Sequence, residues 1–236
     1  MRGLLAGIVV VLTLLFLVDR VGVAVAEDRV AQALQDGLDL QQRPTVTIGG
    51  FPLLTQAVIG RYDEVTVSLA AADLGELSDL DVRVRLRGLH ITLPELFSQA
   101  TEPIPVDRVD GTVLVTYDTI ATQIGSGVTV TNGPDGITVT QTLSVLGQDL
   151  EVSGTGTLTV LGPDRIGVTV VGLDLAGVQL PDVVMAELQS KLSFSYTLPP
   201  LPFGLGLTEA TATDGGVRVS AQAEKTVLDP AAIPAN

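Results

Sequence analysis

Apolar residues follow two different spacings along this chain. From Glu27 to Leu40 they recur at every fourth position, which predicts an amphipathic helix. Arg43-Pro44 should end that helix, because proline does not fit a helix interior. From Thr45 onward apolar and polar residues alternate, which is the pattern of strands with one buried face. The sequence therefore predicts a helix followed by a long run of strands.

The predicted strands outnumber the helices, and the two kinds of element do not alternate regularly. Short helices are predicted from Thr92 to Gln99, from Tyr117 to Ile124 and from Pro181 onward. This order favours the α+β class, with a long, twisted antiparallel sheet (a meander) wrapped around one or two amphipathic helices. The later predicted strands are Val109 to Thr116, Val128 to Thr131, Ile137 to Leu146, Leu150 to Val160, Ile166 to Leu173, and a hairpin of Leu207 to Ala212 with Val217 to Ala223.

One strand changes the face on which its apolar residues lie. Apolar positions up to Leu86 are even-numbered, whereas Leu89 and Ile91 are odd-numbered. Gly88 stands at the change, which predicts a β-bulge that bends the strand. The apolar side chains before and after Gly88 should then point to one continuous inner face.

Composition narrows the possible functions. Hydrophobic residues make up 46% of the chain but aromatic residues only 3%, so the core must be mainly aliphatic. The net charge of −14 repels phosphate backbones, which excludes nucleic acid as a partner. It also disfavours electrostatic docking on anionic lipid, so any lipid contact should be apolar. There is no cysteine, hence no disulfide framework and no thiolate chemistry.

Few residues offer catalytic or metal-binding chemistry. His90 is the single histidine, so a His-rich metal site is excluded, and we expect this side chain on an outer face. We predict a protein that is not an enzyme and needs no cofactor or metal, although a catalytic triad assembled from distant residues stays open. Arg83, Arg85 and Arg87 share one face of a strand, where they contact either solvent or a lipid phosphate.

The N-terminus has the pattern of an export signal. Residues 3–18 carry no charge, and an A-x-A-like site ends at Ala26. Cleavage there would make residues 1–26 a signal peptide; the alternative is an uncleaved anchor with Asp19-Arg20 at the outer interface. Both interpretations place the protein outside the cytoplasmic membrane, in the cell envelope, either free in the periplasmic space or held by the anchor. We expect one domain over residues 27–228 and a tail over 229–236.

Two segments combine large apolar side chains with glycine and proline. Such neighbours can hold a side chain at the rim of a groove, and soluble domains seldom expose much apolar surface without a use for it. Both segments therefore either border a ligand-accessible cavity, with Phe51 and Phe203 at its rim, or fill ordinary core. The residues concerned are Phe51, Pro52, Leu53 and Leu54 in the first segment and Leu201, Pro202 and Phe203 in the second.

These same segments carry a family resemblance. The stretch Gly49 to Gln56, followed by Gly60-Arg61-Tyr62, resembles the signature near the start of the LmeA-like family of actinobacterial envelope proteins, which are lipid-binding domains. Leu198 to Leu205 is similar to the family's downstream Pro-Phe-Gly segment, and the resemblance runs from about Val18 to about Leu228. It implies a tubular fold in which a curved sheet wraps a long helix and leaves an apolar groove.

The resemblance also implies a function. It is the non-enzymatic binding of a phospholipid or a lipid-linked envelope precursor at the membrane surface, in support of envelope assembly. Phe51 to Leu54 would line the mouth of the groove, with Leu201 to Phe203 opposite. Two alternatives stay open: a structural envelope protein whose core is filled by its own side chains, and a glycolipid hydrolase or transferase.

Overall fold

The structure is a computed structural model. It describes residues 2–37, 40–74, 77–92, 103–133, 136–145, 148–175, 181–183, 186, 189–190, 193–198 and 201–228. The helix predicted from Thr92 to Gln99, most of the apolar face of the helix predicted from Pro181, and the tail over 229–236 lie outside these residues.

Three helices and eleven strands are described from end to end, and residues 182–183, 186 and 189–190 are helical as well. The helices are α1 (Arg2–Gly37), α2 (Leu53–Ile59) and α3 (Tyr117–Ile124), and Pro202–Gly204 forms one 3₁₀ turn. The strands are β1 (Thr45–Gly49), β2 (Arg61–Leu74), β3 (Leu77–His90), β4 (Ile104–Val115), β5 (Val128–Gly133), β6 (Gly136–Val145), β7 (Gln148–Gly162), β8 (Arg165–Leu175), β9 (Phe194–Thr197), β10 (Gly206–Thr213) and β11 (Gly216–Leu228).

The strands form two sheets, and every pairing described is antiparallel. One sheet has six strands in the order β1-β2-β3-β4-β11-β10, and the other has five in the order β5-β6-β7-β8-β9. Most neighbours in a sheet are also neighbours in the chain, as in a meander. Some are joined by short turns; Gly162 pairs with Arg165, for example, across the turn at Pro163-Asp164. The predicted α+β class with antiparallel sheets is therefore confirmed.

The chain divides into two compact units. Unit 1 comprises residues 1–69, 83–110 and 223–236, and unit 2 comprises residues 70–82 and 111–222. The core of unit 2 contains Val130, Ile137 and Val217, with α3 packed against it. Tyr117 at the start of α3 donates its hydroxyl hydrogen to the Thr213 carbonyl at 2.6 Å, which ties that helix to the β10–β11 hairpin.

The core of unit 1 joins α1 to the first strands of the sheet. Val23 and Ala31 of α1 are buried with Val46 and Ile48 of β1. The alternation predicted from Thr45 onward places these two β1 side chains on the inner face, while the threonines between them are exposed. Tyr62, Val65, Leu53 and Ile91 complete the cluster.

Helix α1 is continuous through the predicted cleavage site. The amphipathic helix expected from Glu27 is its C-terminal part, and it ends at Gly37 rather than at Leu40. Glu27 accepts a hydrogen bond from the amide of Ile48 at 2.8 Å, which fixes α1 along β1. Among the described residues, no helix is long and apolar enough to cross a membrane. The side chains of residues 2–8 and 10–12 lie outside the description.

The predicted change of face at Gly88 is confirmed. Leu86, Leu89 and Ile91 all pack against the core of unit 1, although Leu86 differs in parity from the other two. Gly88 has φ +61°, a left-handed conformation that bulges use to shift the side-chain phase. A Cβ atom at this position would collide with the carboxylate of Asp107.

Gly88→Ala should therefore destabilise the protein. The left-handed backbone alone costs about 1–2 kcal/mol for a residue with a Cβ atom, and Asp107 would also have to leave its place. Gly111→Ala is the matched control, because its Cβ would make only ordinary contacts at 3.7 Å and its φ is not left-handed. Urea unfolding should show a loss for Gly88→Ala alone; equal stability of the two variants would contradict the bulge.

Three elements differ from the sequence prediction, and one of them is β9, which was not predicted. Helix α2 was not predicted at all, because its seven residues follow a proline and carry no helical periodicity. Strand β4 begins at Ile104, five residues before the predicted start at Val109, and it includes Pro105. Proline is tolerated at the beginning of a strand, where it removes at most one ladder hydrogen bond.

Candidate functional site

Helix α2 divides the first apolar segment between the core and the surface. Leu53 is 7% exposed and belongs to the core of unit 1, whereas Leu54 is 52% exposed. Val58 and Ile59 are exposed as well. A short helix of this composition covers the core with one face and presents an apolar face to its surroundings.

Glycines and an inward-turned glutamine hold α2 in place. Gln56 donates from Nε2 to the Gly49 carbonyl at 3.2 Å, and its Oε1 accepts the amide hydrogen of Asp63 at 2.8 Å. A Cβ at Gly50, which has φ +87°, would meet both the Gln56 amide and the Asp63 carboxylate. Gly60 ends α2 with φ 75° and donates its N–H to the Gln56 carbonyl at 2.8 Å. The glycine-rich signature thus has a structural reason in this chain.

Asp19 of α1 holds the beginning of α2. Pro52 precedes α2 and provides no side-chain cap, but the amide of Leu54 donates to Asp19 Oδ1 at 3.2 Å. Arg20 donates from Nη2 to Asp19 Oδ2 at 2.9 Å. Burial alone would raise the pKa of the Asp19 carboxyl, which is 2% exposed. The hydrogen bonds from Arg20 and from the amides of Leu54 and Leu53 outweigh it, and this pKa is lowered.

The lowered pKa predicts a pH dependence of stability. A carboxyl with a depressed folded-state pKa stabilises the fold above its usual pKa of 3.8, and the contribution is lost as the pH falls through the lower folded value. The difference in melting temperature between wild type and Asp19→Asn should thus be largest near neutral pH and should shrink in acid. Asp36→Asn removes an exposed carboxylate from the same helix as a control. A difference that does not change with pH would contradict this role.

The guanidinium of Arg20 lies beside two aromatic rings next to this cap. Its guanidinium carbon is 5.8 Å from the ring centroid of Phe16 and 5.6 Å from that of Phe51. The two ring centroids are 5.8 Å apart, with their planes inclined at 48°. Both distances from the guanidinium lie within the range of cation–π interactions. Residues from α1 and from the loop before α2 thus form one cluster.

Exposed apolar side chains surround this cluster. Phe51 is 59% exposed, and consecutive residues of α1 are exposed on several sides of the helix. Exposed apolar patches of this kind mark interaction sites in soluble proteins. We call the following residues of unit 1 the α1–α2 apolar surface: Leu14, Leu15, Phe16, Leu17, Val18, Val21, Phe51 and Leu54.

The seven predicted site residues differ in burial and are divided between the two units. Phe51, Pro52 and Leu54 are exposed in unit 1, whereas Leu53 is core. In unit 2, Leu201 and Phe203 are half-buried, and the side chain of Pro202 lies outside the description. Phe203 has φ +59°, a conformation uncommon for an aromatic residue. That the two segments line one lipid groove stays a prediction.

The arginines of β3 form ion pairs with neighbouring strands. Arg85 and Arg87 both approach Glu64, at 3.7 and 3.4 Å, and Arg87 also approaches Asp110 at 3.5 Å. Arg83 donates to the hydroxyl of Ser68 at 3.4 Å. Each of these partly exposed ion pairs contributes little stability, but they neutralise the guanidinium groups of Arg85 and Arg87. This arrangement favours a solvated strand face over a lipid-phosphate site.

A separate cavity in unit 1 has a mixed lining. Its volume is about 330 Å³, and its walls include His90, Asp107 and Lys225 together with Val106 and Val227. His90 is exposed, as the sequence predicted. Asp107 pairs with Arg61 at 2.8 Å. Together with Thr226, these polar side chains make the cavity a poor match for an acyl chain.

The sequence model of the LmeA-like phospholipid-binding family matches residues 17–222. The chain therefore belongs to this family, and the resemblance noted at Gly49 to Gln56 and Leu198 to Leu205 is confirmed at the level of the family. Comparison with curated proteins and with solved structures found no match.

Proposed function

We propose that this protein binds a phospholipid or a lipid-linked envelope precursor without catalysing a reaction, and so supports assembly of the cell envelope. Membership of a phospholipid-binding family over residues 17–222 is the observation that carries the proposal. The α1–α2 apolar surface supports it, because Leu17, Val18, Val21, Phe51 and Leu54 offer apolar contact area within the family's matched region. Acyl chains would lie against apolar side chains while the polar head stays in water. The predicted residues Phe51, Pro52, Leu53, Leu54, Leu201, Pro202 and Phe203 are proposed to form or support the lipid site.

The energetics of this mode of binding are favourable. Each CH₂ group removed from water contributes about 0.8 kcal/mol. Part of one acyl chain is therefore enough for micromolar affinity, which corresponds to about 8 kcal/mol. The net charge of −14 disfavours purely electrostatic adsorption to an anionic membrane. Lipid contacts should therefore be mainly apolar.

We further propose that the protein works outside the cytoplasmic membrane and keeps its N-terminal helix. Val23 and Ala31 are buried in the core, and Asp19 caps α2, so cleavage after Ala26 would remove parts of the fold. These contacts favour a chain that keeps residues 1–26, with a lipid-binding domain that extends upstream of Glu27. A reporter that works only outside the cytoplasm should be active when it is fused after Asn236. The mass of the mature chain should include residues 1–26.

Lipid extraction from vesicles tests the proposed function. The purified full chain is incubated with phosphatidylglycerol vesicles, the vesicles are removed by centrifugation, and the phospholipid that remains with the protein is measured. We expect the amount to rise with lipid concentration and to saturate at a fixed ratio of lipid to protein. No phospholipid in the protein fraction would refute the proposal.

A catalytic role is the second candidate, because His90 and Asp107 line one cavity with Lys225. Histidine and carboxylate side chains are the usual groups for general acid–base catalysis. A glycolipid hydrolase or transferase would convert its lipid, so products should accumulate with wild type and not with His90→Ala. Lipid that is bound and recovered unchanged would support the non-enzymatic proposal.

A further inference from the structure

Arg20 occupies the one place in the α1–α2 apolar surface where a positive charge is held among apolar groups. Its guanidinium contacts the rings of Phe16 and Phe51 and donates to Asp19. The side chain is nevertheless 41% exposed. Three neighbours therefore fix the guanidinium while part of it stays open to a ligand.

The hydrogen bond to Asp19 leaves other N–H donors of Arg20 available. The Asp19 carboxylate also accepts the amide hydrogen of Leu54, which compensates part of its negative charge. A guanidinium has five N–H donors, and in the described part of the chain Asp19 is the acceptor that Arg20 reaches, through Nη2. Donors remain for a second anion, and a planar guanidinium matches phosphate geometry well.

The charge distribution of the two units favours binding of an anionic group to unit 1. All Lys and Arg residues except Arg165, Lys191 and Arg218 belong to unit 1, whereas the acidic residues divide almost evenly between the two units. Unit 2 is consequently much more acidic than unit 1. A negatively charged headgroup thus meets less repulsion at the unit that carries the α1–α2 apolar surface.

We propose that Arg20 binds the phosphate group of the phospholipid whose acyl chains contact the α1–α2 apolar surface. This inference rests on the proposed function and assigns the headgroup contact within it. A phospholipid is the ligand that fits, because it joins an anionic phosphate directly to long apolar chains. A free phosphate would leave the apolar side chains around Arg20 without a partner.

Two lipids that differ only in the phosphate-containing headgroup test this assignment. Dihexanoyl phosphatidylglycerol and dihexanoylglycerol are titrated into the full chain by calorimetry. Wild type should bind the phospholipid more tightly than the diacylglycerol. Arg20→Gln should weaken phospholipid binding about tenfold or more, because a charge-assisted hydrogen bond is lost, and should leave diacylglycerol binding unchanged.

Controls separate the role of Arg20 from charge and folding effects. Arg29→Gln removes an exposed cation from the same helix and should keep the wild-type preference. Melting temperatures show whether each variant is folded. If Arg20→Gln does not fold, Arg20→Lys is measured instead, because lysine keeps the positive charge but lacks the planar guanidinium. The Arg20→Lys variant should lose part of the preference for the phospholipid.

The possible outcomes distinguish this inference from the function on which it rests. Equal preference for the phospholipid in wild type and in the Arg20 variants overturns the Arg20 assignment and leaves lipid binding intact. Failure of wild type to bind either lipid overturns the proposed function itself. Displacement of the phospholipid by an equal concentration of inorganic phosphate would identify a free-phosphate site and would also overturn the assignment.

Discussion

A chain that begins at Glu27 should be less stable than the full chain by at least about 2 kcal/mol. Truncation after Ala26 removes Val23 from the core of unit 1, and burial of one valine contributes about 1.5–3 kcal/mol. It also removes Asp19, so the amide of Leu54 at the start of α2 loses its acceptor. Urea unfolding monitored by circular dichroism measures the difference.

A second truncation separates this effect from simple shortening of the chain. A chain that begins at Thr13 loses part of the uncharged segment but keeps both Asp19 and Val23. It should therefore unfold at nearly the same urea concentration as the full chain. Similar stability of all three chains would show that α1 upstream of Glu27 is not part of the folded domain, and would support the cleaved alternative.

The same substitution at two neighbouring positions should have opposite consequences. Leu53→Gln places a polar amide in the core of unit 1 and should destabilise the protein by about 3 kcal/mol or more. Leu54→Gln changes an exposed side chain and should alter stability by less than about 0.5 kcal/mol. Because Leu54 belongs to the α1–α2 apolar surface, we expect its replacement to weaken phospholipid binding about tenfold.

Melting temperature and bound phospholipid should be measured on one preparation of each variant. Val171→Gln is the control, because Val171 is an exposed apolar residue of β8 in unit 2 and lies outside the α1–α2 apolar surface. It should retain lipid. Equal lipid loss in Leu54→Gln and Val171→Gln would point to nonspecific adsorption, and unchanged lipid in Leu54→Gln would remove this surface from the site.

Local patterns in the sequence were sufficient to predict much of the fold. Helix α3 was predicted with its observed bounds, Tyr117–Ile124, because an N-cap threonine precedes it and a glycine follows it. Most strands of unit 2 were predicted because polar and apolar residues alternate along them, but β9 was not predicted. The phase change at Gly88 was also a local signal, since it needs only residue parity and one glycine.

The features that were missed depend on contacts between distant residues. Asp19 caps helix α2 and lies 35 positions before Leu54 in the sequence. No local sequence pattern therefore predicts helix α2. For the same reason the contacts of Asp19 with α2 and of Arg20 with Phe51 were not foreseen. Residues 51–54 were predicted as one apolar group, and only the helical conformation shows that Leu53 and Leu54 point to different environments.

Native mass spectrometry of the purified full chain tests the central claim most directly. The account predicts a population heavier than the bare chain by the mass of one or more phospholipids, and a much smaller fraction of this population in Leu54→Gln. Wild-type protein that stays at the mass of the bare chain, even after incubation with phosphatidylglycerol, would contradict phospholipid binding by this protein.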